Sequence, residues 1–219
     1  SKLIKIKLKE MTQKYFWKEN IEKKTTNKNI KAIIFCLNSE FGLTSKHNVY
    51  QFLKNLKLND KLFFKNNEIT LGKKYIFYNE LTKHKNIEER WKISLLFFNF
   101  KLNTKMPTKN IFFNAGSYNP KLLRLIGYIK INNTAFKLVF LEHFLKHVYE
   151  KKNRVLSFNN YHYLKYKINF QLLSQILSYL GYIKIAGTNL VSYWQEHKDI
   201  TISKSYDKNS PFYVLKKLQ

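Results

Sequence analysis

The chain of 219 residues has one cysteine, three prolines and six glycines, and its 14 acidic residues face 40 basic ones. Each shortage excludes a class of protein. A lone cysteine rules out a disulfide framework and any Cys-rich zinc site, so Cys36, inside the apolar run 32–37, reads as a small core residue. The glycines nowhere fall into a GxGxxG or GxxxxGK spacing, which excludes a loop built to cradle a nucleotide phosphate. Long apolar runs are missing too: the longest, 93–98, is interrupted by Ser94 and falls far short of the roughly 18 residues needed to span a bilayer. Residues 1–9 set Ile4, Ile6 and Leu8 against Lys5, Lys7 and Lys9, a period-2 pattern that predicts an edge strand or a basic arm in place of the apolar block of a secretory signal.

Catalytic sets are lacking as well. His143 and His147 stand four residues apart beside Glu142, but the zinc-protease pattern needs Glu directly after the first His, and Phe144 holds that place. They read as half-exposed surface histidines. His47, His84, His162 and His197 are scattered among Lys and Asn with no nucleophile or carboxylate at a recognisable spacing. The expectation is a protein that is not an enzyme, with no metal and no cofactor.

What is present is apolar bulk and positive charge. At 44% hydrophobic and 16% aromatic residues the chain can bury a core, as one large domain or two small ones. A net charge of +26 opposes compaction unless a polyanion neutralises it, and nucleic acid is the foremost such partner. Of the basic residues 37 are Lys and three (Arg90, Arg124 and Arg154) are Arg, although Arg is the better bidentate phosphate ligand. With 24 Asn and 20 Ile beside so few Gly, the bias points to an A/T-rich coding genome such as an organellar one.

The expected fold class is α+β: two small α/β layers, the C-terminal part a helix-strand-helix-hairpin unit on a small mixed sheet. Residues 31–37 predict a buried strand. Ser45 reads as the N-cap of a helix carrying Val49, Phe52, Leu53 and Leu56, and 61–64 and 73–78 as β-like runs around an Asn66-Asn67 turn. A helix is expected over 87–98. The polar segment 101–109, with Pro107, suggests a boundary between a basic α+β extension, 1–104, and a second domain, 105–219. Beyond it, Asn119-Pro120 starts a helix that Gly127 stops, and 128–131 is a strand with an Asn132-Asn133 turn. Phe136, Phe140, Phe144 and Val148 predict a helix over 135–152. Residues 168–180, capped by Asn169 and ended by Gly181, predict another, followed by a strand at 182–185 and a small sheet from 200–203 and 212–218. Gly-Tyr-Ile-Lys-Ile occurs twice, at 127–131 and 181–185, each time after a helix. It reads as one helix-stop-strand solution reached twice, with duplication as the alternative.

The segments 125–130 and 179–184 resemble slightly the paired helices of LAGLIDADG homing endonucleases, whose last position is a metal-binding carboxylate. Lys130 and Lys184 stand there, and a cation cannot hold a divalent metal, so nuclease chemistry is excluded. Between 146 and 167, cations interleave with rings: Lys146, Tyr149, Lys151, Lys152, Arg154, Phe158, Tyr161, Tyr163, Lys165, Tyr166 and Lys167. Phosphates would take the cations and unstacked bases any exposed rings, although alternate aromatics in a strand more often face a core.

From Phe136 onward the order of features is similar to the N-terminal half of the eighth small-subunit ribosomal protein family. The matching stretches are 140–154 for a first helix and basic loop, 165–180 for a second helix, Gly181-Tyr182-Ile183 at its end, and 199–209 for a strand and turn. The resemblance implies a structural constituent of the small subunit of a mitochondrial ribosome, in the matrix and organelle-encoded. Lys146, Lys151, Lys152, Arg154, Lys165, Lys167 and Lys204 would then contact ribosomal RNA. Neighbouring ribosomal proteins, and a separately encoded C-terminal half, would be the partners, with no membrane. The alternative is a soluble basic accessory subunit of an organellar membrane complex.

Overall fold

In the computed structural model, which describes residues 21–83, 87–98, 100–101, 104–107, 110–150, 155–159, 162, 165–189 and 191–196, the chain is α+β and divides into two compact units, Ser1–Lys151 and Lys152–Gln219. The segments 1–9, 200–203 and 212–218 lie outside the described residues.

Asn27 opens the first unit by capping a helix, α1 (Lys28–Ser39), its side chain accepting the backbone N–H of Asn29 at 2.9 Å. A strand was expected here. Ile33 and Ile34 are β-branched, but with Ile30 and Leu37 they recur at i, i+3, i+4 and i+7, and all four are buried. Burial of that stripe outweighs local β preference. Phe41 and Gly42 turn the chain at positive φ into β1 (Leu43–Ser45). Ser45 ends this strand, so the helix expected after it shrinks to α2 (Tyr50–Leu53). The short turn 54–57 then leads to α3 (Leu58–Asn66), where 61–64 had read as β. Asp60 fixes the start of α3 by accepting the Lys57 backbone N–H at 2.8 Å and the Asn27 side-chain amide at 3.0 Å. Two strands close the set, β2 (Ile69–Leu71) and β3 (Tyr75–Tyr78), and β3 lies between β1 and β2, antiparallel to both. Helix, strand, two helices joined by a short turn, and a hairpin follow the element order of a helix-turn-helix unit with a hairpin appended.

The order recurs twice, each time with one helix in place of two between strand and hairpin. After a 3-10 turn (Asn79–Thr82) come α4 (Ile87–Phe97), β4 (Phe112–Asn114), α5 (Pro120–Leu125), β5 (Tyr128–Ile131) and β6 (Thr134–Lys137), in the sheet order β4-β6-β5. A core of Ile87, Trp91, Leu95, Leu122, Leu123, Ile126 and Tyr128 joins its two helices to its hairpin. Next follow α6 (Leu138–Glu150), β7 (Val155–Phe158), α7 (Phe170–Tyr179), β8 (Tyr182–Gly187) and β9 (Ser192–Glu196), in the order β7-β9-β8. Residues 135–137, expected at the start of α6, instead form the central strand β6: Phe136 pairs with Phe112 on one side and Ile129 on the other. The pairings described are all antiparallel, so the small sheets are not mixed.

The three occurrences share the step from second helix to hairpin. Glu68, Gly127 and Gly181 each hold positive φ (56°, 79° and 86°) one residue before the hairpin strand. Each donates its backbone N–H to the carbonyl three residues back, Lys65 at 3.1 Å, Arg124 at 3.1 Å and Ser178 at 3.0 Å. The repeated Gly-Tyr-Ile-Lys-Ile thus occupies equivalent places in a threefold recurrence.

The segment 101–109, expected as a boundary, lies inside the first unit, and ties bridge the residues on either side of it. Arg124 Nη2 donates to Glu40 Oε2 and to the Leu43 carbonyl, both at 2.8 Å. No helix among the described residues is long and apolar enough to cross a membrane.

Candidate nucleic-acid interface

On α6 the apolar positions Leu141, Phe144, Leu145 and Val148 are buried, which turns Glu142, His143 and Lys146 outward. The loop between β2 and β3 meets Glu142. Its carboxylate accepts three successive backbone N–H groups, of Lys73, of Lys74 at 3.1 Å and of Tyr75 at 2.8 Å. Consecutive N–H groups of this kind form an anion-binding concavity, here filled from within the chain. A Cβ at Gly72 would meet the Glu142 carboxylate and push it off its backbone donors.

Beside this clamp is a cleft of about 600 Å3 whose lining includes Lys46, Lys73, Lys83, His143 and Lys146 with Thr70, Asn79 and Thr82. The one carboxylate in its wall, Glu142, stands against four lysines, Lys46, Lys73, Lys83 and Lys146, so the cleft keeps a positive excess. Lys83 is partly compensated, with Nζ 3.1 Å from Glu80 and 3.6 Å from Glu68. Burial lowers the Lys46 pKa, opposed by the Glu142 charge and reinforced by the Lys73 and Lys61 charges. Burial likewise pushes Lys74 down to about 8, against the pull of Glu142. Burial, more than neighbouring charge, holds both pKa values down, and an anion seated beside Lys46 would offset that cost. Lys61 belongs to α3, so the basic surface runs from that helix into the cleft.

Of the residues expected to touch RNA, Lys146 lines this cleft. Lys165 and Lys167 are exposed in the second unit, and Lys165 Nζ sits 5.5 Å from the Tyr166 ring centre. Lys151, Lys152, Arg154 and Lys204 lie outside the described residues. Of the rings in that segment, Phe158 and Tyr166 are buried in the core and out of reach of bases, while Tyr161 and Tyr163 lie outside the described residues. The two arginines described are internal ties. Arg124 binds Glu40, and the fully buried Arg90 donates Nη1 to the Glu80 carbonyl and Nη2 to that of Lys83 at 2.9 Å. The exposed positive charge described in this unit is therefore carried by lysine. Sequence reasoning missed Lys46, Lys73 and Lys83, which come from loops; the one signal was the Gly-Lys-Lys turn at 72–74 between two apolar runs. His143 is exposed and His147 half-buried, and no group of three metal-ligating side chains occurs among the described residues. Cys36 is buried, its thiol pushed up to about 12 by burial, which leaves it inert.

No family model, characterised protein or solved structure matches the chain.

Proposed function

We propose that the chain is a non-catalytic nucleic-acid-binding protein that engages duplex segments. The observation that carries this is the threefold recurrence of a helix, strand, helix and hairpin order, with the element order of a helix-turn-helix in the first, on a chain of net charge +26. Helix-turn-helix proteins set their second helix in a groove while flanking cations hold phosphates, and the lysine-lined cleft supplies such cations beside the first unit's helices. The test is titration of the full chain into a fluorescent 20-base-pair duplex at several salt concentrations. Binding that weakens as a linear function of log salt supports the reading, and no binding at low salt overturns it.

A second reading is favoured by the resemblance over 136–219: a constituent of an organellar small ribosomal subunit, its lysines on ribosomal RNA. What supports it is the order α6, β7, α7 and hairpin; the stretch 199–209 of that resemblance lies outside the described residues. Cosedimentation with small ribosomal particles, reversed by salt, supports it; recovery of the protein with DNA and not with particles removes it.

A further inference from the structure

We propose that α3 is the element that reads the nucleic acid, and that it does so in the major groove of A·T-rich duplex DNA. This rests on the nucleic-acid reading above. Among the three equivalent second helices, α3 alone presents a broad basic face. In α5, Leu122, Leu123 and Leu125 are buried and Arg124 is bound to Glu40, which leaves Pro120 and Lys121 exposed. Helix α7 has no basic residue, and its exposed positions are Gln171, Ser178 and Tyr179. On α3, by contrast, Leu58, Lys61, Leu62, Lys65 and Asn66 follow at i, i+3, i+4, i+7 and i+8, one continuous face, flanked by Asn59. Every one of these is exposed; Leu58 is 75% and Leu62 51% accessible. The residues turned inward are Phe63, Phe64 and Asp60, the last held by Asn27.

The chemistry of this face selects its occupant. Two leucines stacked one turn apart match the thymine methyl, the apolar group that the major groove offers. Asn59 and Asn66 have the donor-acceptor pair that fits adenine N6 and N7. No carboxylate stands on the face to accept from cytosine N4, and no Arg to take guanine O6 and N7. Lys61 is near enough to Lys46, in the cleft wall, for its charge to act there, so a phosphate backbone would run from Lys61 toward the cleft, with Lys65 one turn further along α3. A-form RNA is a poor fit, because its major groove is too narrow and deep for a helix.

The experiment measures binding of the full chain to three duplexes of equal length: A·T-rich DNA, G·C-rich DNA and RNA. The expected result is A·T-rich DNA bound about tenfold more tightly than either other duplex, the size of one good base contact. Leu58→Gln with Leu62→Gln should reduce that ratio to about twofold; both positions are exposed, and an unaltered thermal transition shows the fold intact. Lys61→Ala with Lys65→Ala should weaken both DNAs equally and reduce the salt slope by about 2. Equal binding to the three duplexes, or a preference that survives the leucine substitutions, overturns this inference and leaves the nucleic-acid reading standing. Absence of binding to any duplex overturns both.

Discussion

At the residue scale the largest local investment is around Glu142, whose carboxylate accepts the backbone N–H groups of Lys73, Lys74 and Tyr75 and so fastens the first hairpin to α6. Hydrogen bonds to a charged acceptor are worth more than neutral ones, and a glutamine keeps one acceptor oxygen and adds donors that find no partner here. Glu142→Gln should therefore cost about 2 kcal/mol in urea unfolding. Gly72→Ala should cost a similar amount, since its Cβ displaces the same carboxylate. A loss below about 0.5 kcal/mol in both, as for an ordinary surface site, would show that the clamp does not bear on stability. Lys74, in the same loop, gives a pH prediction. Its folded pKa of about 8 lies below the ordinary 10.5, because burial disfavours the charged ammonium. Between these values the unfolded chain holds a proton that the folded chain has released, so the Lys74 contribution to stability is least favourable below pH 8 and improves as pH rises to 10.5. The stability of the parent relative to Lys74→Met should rise across that window, and a flat difference would refute the burial account.

At the scale of elements, the three helix-to-hairpin steps make a controlled comparison. Each needs a left-handed residue; two use glycine, and the first uses Glu68 at φ 56°. A side chain in that conformation costs about 1 kcal/mol, while the exposed Glu68–Lys83 pair at 3.6 Å offsets little of it. Glu68→Gly should raise stability by about 0.5–1 kcal/mol, and Gly127→Ala should lower it by more than that, since its Cβ would also collide with the Leu81 carbonyl. Thermal unfolding of the two variants checks both signs. The same steps show what the sequence made legible. Where local chemistry closes an element, as with Asn119-Pro120, Gly127, Asn132-Asn133, Asn169 and Gly181, the expected bounds hold to within a residue or two. Where burial decides, they fail: 31–37 and 61–64 are helical, and Ile30, Ile33, Ile34, Leu37 and Phe64 are all buried. Reading α3 as a strand hid its exposed face altogether. The recurrence was half visible, since two copies keep Gly-Tyr-Ile-Lys-Ile while the first has Glu68-Ile69-Thr70-Leu71 and shares only backbone conformation. In the cleft, Lys146 was legible from its helix, whereas Lys46, Lys73 and Lys83 are brought beside it by the tertiary fold.

At the scale of the whole molecule, the +26 charge makes salt act in opposite directions on folding and on binding. The folded chain concentrates like charges that the unfolded chain spreads apart, so self-repulsion opposes compaction. Added salt shortens the screening distance from about 30 Å at 0.01 M to about 10 Å at 0.1 M and relieves it. The exposed ion pairs described, such as Lys83–Glu80, are too weak to reverse that sign. The free protein should therefore unfold at a higher temperature in 200 mM than in 20 mM salt. With duplex present the order should invert at low salt: a bound polyanion stabilises the folded state by mass action, and its affinity falls steeply as salt rises. Scanning thermal unfolding against salt, with and without duplex, should give one rising curve and one that starts higher and falls to meet it. A free-protein curve that falls with salt would mean that attractive pairs dominate the surface. Two curves that coincide at every salt concentration would mean that the charge serves no nucleic acid.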